Sequence, residues 1–226
     1  MRPYIIINAA MSADGKLSTR ERRQVRISGS DDFSRVDQMR AACDAILVGI
    51  KTVHADDPSL TVKSPVLRQK RKNRKADENP VRIVLDSGAE TPTTADILRK
   101  GEGKRIIAVA RKADPKRVEA LGEYAEVITC GEDTVDLHSL MPELKKRGIA
   151  TLMVEGGGTV IWSFLSQGLF DELNVYLGSL IIGGKTAPTL ADGEGFIDES
   201  LFPRLTLDHV GQMDDGVLIR WKRREE

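Results

Sequence analysis

Ile149-Ala150-Thr151-Leu152-Met153-Val154-Glu155-Gly156-Gly157-Gly158-Thr159 carries an apolar run, broken only by Thr151, into an acid, three glycines and a threonine. Val160-Ile161-Trp162-Ser163-Phe164-Leu165 continues it as a helical stretch. The whole reads as a buried strand, a tight turn and a helix start. Glycines without Cβ atoms allow positive φ and let a ligand approach the backbone closely. The unpaired N–H groups of the following helix and their partial positive charge suit a phosphate. The plainer alternative is a strand-to-helix turn that needs room to pack. The spacing is not G-x-G-x-x-G, so the standard dinucleotide fingerprint is absent.

Working outward, the same alternation repeats. Upstream, Leu137 to Arg147 is a helix closed by Gly148. Glu126 to Thr129 is a strand into Cys130-Gly131, and Pro115 to about Leu121 is a helix after Asp114. Arg105 to Val109, Val81 to Leu85 and Ala45 to Val48, ending at Gly49, are strands. Ile50 to Ala55 is a short helix stopped by Asp56-Asp57-Pro58. Ser30 is an N-cap with Asp31 and Asp32 in the first turn, and Phe33, Val36, Met39 and Cys43 share one helical face. Tyr4 to Asn8 is the first strand, followed by a loop with an Asp14-Gly15 turn. Downstream, Leu173 to Leu177 is a strand that Ser179 to Ile182 extends or follows. Arg204 to Val210 and Gly216 to Trp221 form a hairpin turning near Asp214-Asp215-Gly216. The expected architecture is α/β, a mixed sheet flanked by helices with an antiparallel C-terminal hairpin. No repeat and no linker divides residues 1–226, so one domain is expected.

Lys plus Arg and Asp plus Glu both number 34, which removes any global charge argument for nucleic acid or a membrane surface. No apolar run approaches the ~20 residues that span a bilayer. The N-terminal apolar stretch is cut short by Asn8, so a signal peptide is not expected and a cytoplasmic protein is. Cys43 and Cys130 are expected as buried free thiols, and His54, His138 and His209 as surface or turn residues; no metal cluster is read. Six of the eight residues Arg68 to Lys75 are basic. That run reads as a solvated, mobile loop, and without interleaved aromatics nucleic-acid contact is the weaker alternative.

In an open α/β sheet ligands bind beyond the carboxyl ends of the strands. There the chain places Asn8 to Ser12, Gly49 to Asp56, Asp86-Ser87, Ala110-Arg111, Ile128 to Gly131 and Glu155 to Thr159. The set is rich in Gly, Ser, Thr and acids, suits a sugar phosphate, and holds no Ser-His-Asp or Cys-His arrangement. Chemistry that needs few protein groups, such as hydride transfer from a nicotinamide, fits it.

These blocks resemble the reductases of the riboflavin pathway. The resemblance lies in Asn8 to Lys16 with Arg26-Ile27-Ser28, in Val48 to Val53 with Asp56 to Val62, and in Asn79 to Ser87. It continues through Glu155 to Thr159, Gly168 to Glu172 and Gly183 to Pro188, and so covers essentially the whole chain. Asp192-Gly193-Glu194-Gly195-Phe196 is similar to the stand-alone archaeal branch, which lacks the zinc deaminase fused to bacterial relatives. The resemblance implies a dihydrofolate-reductase-like fold and a homodimer. It implies NADPH, with NADH as the other possible donor, and reduction of a phosphorylated ribosylaminopyrimidine at ribose C1′ of the ring-opened imine. Cofactor contacts are implied for Ala10, Thr52, Asp56, Ser87, Ile128, Gly156, Gly157, Gly158 and Thr159. Substrate contacts are implied for Gln24, Arg40, Leu60, Lys63 and Glu155, with Arg40 and Lys63 on the 5′-phosphate and Glu155 the catalytic candidate. Spacing alone would leave Arg40 a solvated helix residue and Glu155 an acid serving the helix dipole. Two positions depart from the pattern: Asn8 stands where bacterial relatives often have Lys, and Lys51 where a small residue is usual. Ala110-Arg111-Lys112 is a basic cluster that suggests a 2′-phosphate pocket. A pterin-type reductase on the same fold and a non-catalytic nucleotide-binding module are the other readings.

Overall fold

A computed structural model describes residues 1–224. They form two compact units, one of Met1–Tyr4 and Asp37–Met153, the other of Ile5–Val36 and the chain from Val154. The first unit contains a parallel sheet ordered β5-β4-β3-β2, from β2 (Ala45–Gly49), β3 (Val81–Leu85), β4 (Arg105–Val109) and β5 (Glu126–Thr129). β2 is buried at all five positions, as expected of a strand covered on both faces. Its helices are α2 (Ile50–Asp56), α3 (Pro65–Asn73), α4 (Asp96–Arg99), α5 (Pro115–Gly122) and α6 (Leu137–Lys146). The second unit is mixed: β1 (Tyr4–Ser12) pairs in parallel with β7 (Glu172–Gly178), which pairs antiparallel with β9 (Gly216–Arg223), which pairs with β8 (Leu205–Met213). It also holds α7 (Gly158–Ser166) and a 3₁₀ turn at Glu199–Leu201. The helix α1 (Ser30–Ala42) begins in the second unit and ends in the first; β6 (Thr151–Gly156) does the reverse.

Local chemistry explains the helix starts. α5 opens on Pro115 behind Asp114, whose carboxylate accepts from Lys116 N, and α6 behind Asp136, which accepts from His138 N. The start of α1 is served from far along the chain. Asp214, in the left-handed turn between β8 and β9, accepts from the backbone N–H of Asp31 (3.1 Å) and Asp32 (3.0 Å).

Two expectations are corrected, the loop at Arg68 to Lys75 and the loop from Ala9. The basic run from Arg68 to Lys75 is not a loop: helix α3 covers it to Asn73. Ser64 caps that helix, Pro65 starts it, and Arg71 is buried beneath it. The Arg71 guanidinium donates to the carbonyls of Ala41 (2.9 Å), Cys43 (2.8 Å) and Asp77 (2.8 Å), closing the last turn of α1. The first strand runs on to Ser12, where the sequence reading places a loop from Ala9. On the face read with Val36, Met39 and Cys43, Phe33 is 54% exposed, with Arg26 over its ring, while Asp32 beside it is buried and paired with Arg35. Of the two readings of Ser179 to Ile182, the segment follows β7, which ends at Gly178. Helix α4 and the 3₁₀ turn at Glu199–Leu201 are not among the elements read from the sequence, and the remaining ones fall within one to a few residues of where the sequence places them. Both cysteines are buried free thiols, and the three histidines are exposed.

Candidate functional site

In the first unit the sheet register sets the candidate residues. Gly49, Leu85, Ala108 and Ile128 stand side by side across four parallel strands. The loops that follow therefore leave one edge of this sheet, at strand spacings of about 4.8 Å. Thr52 and Asp56 lie on α2 behind Gly49, and Ser87 lies two residues beyond Leu85. Ile128 itself is buried. Asp86, fully buried, accepts from Glu90 N, Thr91 N and the Thr91 hydroxyl, which anchors the loop carrying Ser87. The Ser87 hydroxyl accepts from Val135 N at 3.0 Å. Loss of surrounding solvent holds the Asp56 carboxyl above its ordinary range, although the residue as a whole is exposed.

Beyond Asp56 the chain takes two left-handed non-glycine conformations, Asp57 (φ 40°) and Leu60 (φ 49°). Such strain persists only where the surroundings over-determine it. Asp57 accepts from Asp96 N at 2.8 Å, and Leu60 is buried. Lys63 follows, and its pKa is pushed down by desolvation and by Arg40, while Asp37 pulls it up. The two cations expected on a phosphate thus share one electrostatic environment. Arg111 and Lys112 do not wait for an anion: they pair with Glu132 and Asp133 on the next loop.

The second unit holds the other candidates. Ala10 lies half-buried in β1, in register with Tyr176. Gln24 is exposed in the loop before α1. Glu155 is half-buried at the end of β6, and Gly156 still belongs to that strand, so the turn is tighter than the sequence suggests. Gly156 (φ 140°) and Gly157 (φ 79°) make the turn in backbone that only glycine adopts readily. No atom lies within 4 Å of where a Gly156 Cβ would stand. Gly157 caps α7 and, having no side chain, makes no side-chain cap hydrogen bond. A Cβ on Gly158 would meet the Thr189 carbonyl at 2.3 Å and Asp192 at 3.0 Å. Asp192 in turn binds Thr189 N and its hydroxyl, and donates its own N–H to the Gly158 carbonyl. Thr159 is exposed. A glycine turn that is open at Gly156 and leads into a helix start fits a phosphate group.

Asn8, where bacterial relatives often carry Lys, is buried and accepts from Arg35 at 2.8 Å. The sequence reading names Asp86, Asp192, Ser59 and Thr61 within its blocks but not the hydrogen bonds by which they brace their loops. Asp192 lay in a quoted motif, but its partner Thr189 is not adjacent and carries no periodic signal. Among the described residues, no group of three or more His, Cys, Asp or Glu could hold a metal, and no helix is long and apolar enough to cross a membrane.

The family model of the RibD C-terminal domain matches residues 3–219. The chain belongs to that family. A relative from Archaeoglobus fulgidus, named 2,5-diamino-6-ribosylamino-4(3H)-pyrimidinone 5′-phosphate reductase, is 48% identical over 94% of this chain and 95% of its own. A solved pyrimidine reductase-like protein from Corynebacterium diphtheriae superposes with a TM-score of 0.83 at 20% identity, over 99% of this chain and 93% of that one. Dihydrofolate reductase from Enterococcus faecalis gives a TM-score of 0.55 at 11% identity, over 98% of this chain and 97% of that one. These two likenesses speak to the fold: this RibD C-terminal domain is dihydrofolate-reductase-like, with the antiparallel β7-β9-β8 end described above.

Proposed function

We propose that this protein is the riboflavin-pathway reductase that converts 2,5-diamino-6-(ribosylamino)-4(3H)-pyrimidinone 5′-phosphate to its ribitylamino product, with NADPH as donor. The observation that carries the reading is near-half identity to the Archaeoglobus fulgidus reductase along almost the whole of both chains. The cofactor supplies a hydride for C1′ of the ring-opened substrate. Gly156, Gly157, Gly158 and Thr159 hold the pyrophosphate on the α7 amides, and Ala10, Thr52, Asp56, Ser87 and Ile128 complete the cofactor contacts. Arg40 and Lys63 take the substrate 5′-phosphate, whose charge matches their shared positive field. Gln24 and Leu60 line the substrate, and Glu155 either holds a ribose hydroxyl or moves a proton at the reacting end. Because Arg111 and Lys112 are already paired, the choice of NADPH over NADH is not assigned to them. One domain, a cytoplasmic location and a homodimer complete the proposal. Leu207 and Val210, each 57% exposed on the outermost strand β8, support the last of these.

The test is direct. Purified protein given NADPH and the ribosylaminopyrimidine phosphate should oxidise the cofactor and return a product heavier by two hydrogens. NADPH consumption with dihydrofolate but not with that substrate would move the assignment to the pterin reductases. Binding of NADPH without turnover on either would leave a nucleotide-binding module.

A further inference from the structure

The loop from Ser59 to Lys63 contains a polar arrangement that the proposed chemistry has not used. The Lys63 ammonium donates to the Ser59 hydroxyl (2.9 Å) and the Thr61 hydroxyl (2.9 Å), and those two oxygens lie 3.1 Å apart. An ammonium has three N–H donors. Two of Lys63's end on neutral hydroxyls, which leaves one for a ligand.

Among the described residues, five lysines pair with carboxylates: Lys72 with Glu78, Lys100 with Asp96, Lys112 with Asp133, Lys146 with Glu143 and Lys222 with Asp208. Lys63 has hydroxyl partners instead. The nearby Asp37 carboxylate is taken up by the backbone N–H groups of Lys63 (2.7 Å) and Ser64 (2.8 Å). Arg40 and Lys100 add like charge to the neighbourhood, against Asp37 and Asp96. Arg68, Lys100 and Glu78 join Lys63 around a cavity of about 210 Å³; Glu78 pairs with Arg68, and Asp96 with Lys100. Neutral hydroxyls orient an ammonium without cancelling its charge, as a carboxylate would.

The cradle is itself held in place. Thr61 is 9% exposed, and its methyl group lies 2.7 Å from where a Gly101 Cβ would stand. Gly101 has φ 66°, so this close approach to Thr61 is reserved for glycine. The turn that carries Gly101 is pinned by the fully buried Arg82, which donates to the carbonyls of Lys100 (2.5 Å), Glu102 (3.0 Å) and Gly103 (3.2 Å). Asn79 adds bonds to Val62 N and to the Glu102 carbonyl, each 2.9 Å. Between the two hydroxyls, buried Leu60 takes its left-handed conformation.

We propose that Ser59 and Thr61 are positioning residues that hold the Lys63 ammonium, uncancelled and aimed, for the phosphate of the substrate. The proposal rests on the placement of that phosphate at Lys63. Thr61→Val keeps the methyl against Gly101 and removes the hydroxyl. It is expected to raise the substrate KM about tenfold, with the cofactor KM changed by less than about twofold. Thr61→Ser should restore the parent value, and Ser59→Ala should act in the direction of Thr61→Val. Lys63→Ala should raise the substrate KM about a hundredfold. In the Lys63→Ala background Thr61→Val should then add nothing, since its effect passes through the ammonium. A large effect of Lys63→Ala beside a silent Thr61→Val would overturn the positioning role alone. So would an equal effect of Thr61→Val with and without Lys63, which would mark a merely structural threonine. An unchanged substrate KM in Lys63→Ala would overturn the phosphate placement and the positioning role together.

Discussion

At the scale of the residue, two side chains show how far type and position can diverge in meaning. Glu155 reads in sequence as an acid before a glycine turn, and the structure places it on the last turn-ward positions of β6, half-buried. Glu155→Gln keeps its shape and removes its charge. The expected result is a fall in kcat of about a hundredfold with the cofactor KM little changed, read by steady-state kinetics. Unchanged turnover would leave Glu155 a hydroxyl-binding or dipole-serving acid. Arg71 reads as one of six basic residues in a charge run, yet it is 4% exposed and feeds three carbonyls. Burial pushes its pKa down, and the carbonyl bonds hold the charge in place. Arg71→Met fills similar space and removes the side-chain donor to the Cys43 and Asp77 carbonyls, leaving the Ala41 carbonyl to Arg74 alone. Urea denaturation should show a loss of roughly 2–4 kcal/mol, whereas Lys70→Met, exposed on the same helix, should be close to neutral.

At the scale of the element, the helix α7 and its neighbouring loop behave as one piece. Trp162 of α7 packs against Phe196, with ring centroids 4.9 Å apart, and Asp192 ties the loop to Gly158. Because the atom facing Gly158 is a backbone carbonyl, Gly158→Ala cannot be relieved by a side-chain rotation. The start of α7 or the Thr189–Asp192 segment must move. We expect the cofactor KM to rise about tenfold or more while the protein stays folded, checked by cofactor titration beside circular dichroism. The same loop is tied at its other end by Asp14, which accepts from Ile182 N (3.0 Å), Gly183 N (2.7 Å) and the Ser12 hydroxyl (2.7 Å). Those bonds lower the Asp14 pKa from 3.8 to about 2, the Ser12 hydroxyl contributing most. A depressed folded-state pKa means the stabilisation is present above the unfolded value and is lost as pH falls through the folded one. Acidification from about pH 4 to about pH 2 should therefore loosen the segment at Ile182 and Gly183, seen as faster amide exchange there. Asp14→Asn should show that loosening already at neutral pH.

At the scale of the whole molecule, the exposed apolar side chains of β8 bear on assembly. Leu205, Leu207 and Val210 are all exposed on a strand that pairs on one side with β9. An outer strand carrying apolar side chains invites a partner. The parent protein should sediment as a dimer, and Leu207→Lys should shift it toward the monomer at micromolar concentration. A parent that sediments as a monomer would remove the dimer from the proposal.

The strand and helix order, the C-terminal hairpin and the glycine turn are legible in the sequence because each rests on local signals: apolar runs, proline and glycine at element ends, short side chains at caps. The blocks that match the family are local in the same sense, so most of the candidate site could be written down from the chain alone. What only the tertiary structure decided is wherever one residue's meaning depends on a distant partner. Arg71 became a clamp because the carbonyls of Ala41 and Cys43 lie beside it. The start of α1 is served by Asp214, nearly the length of the chain away. Within α1 it is Asp32, paired with Arg35, that is buried, and Phe33 beside it that is exposed. Lys63 acquired its direction from Ser59 and Thr61, and those from Gly101 and Arg82. Periodicity reports which face of an element is apolar. It does not report which polar group on another element will satisfy a buried donor or acceptor, and in this protein those long-range hydrogen bonds set the shape of the site.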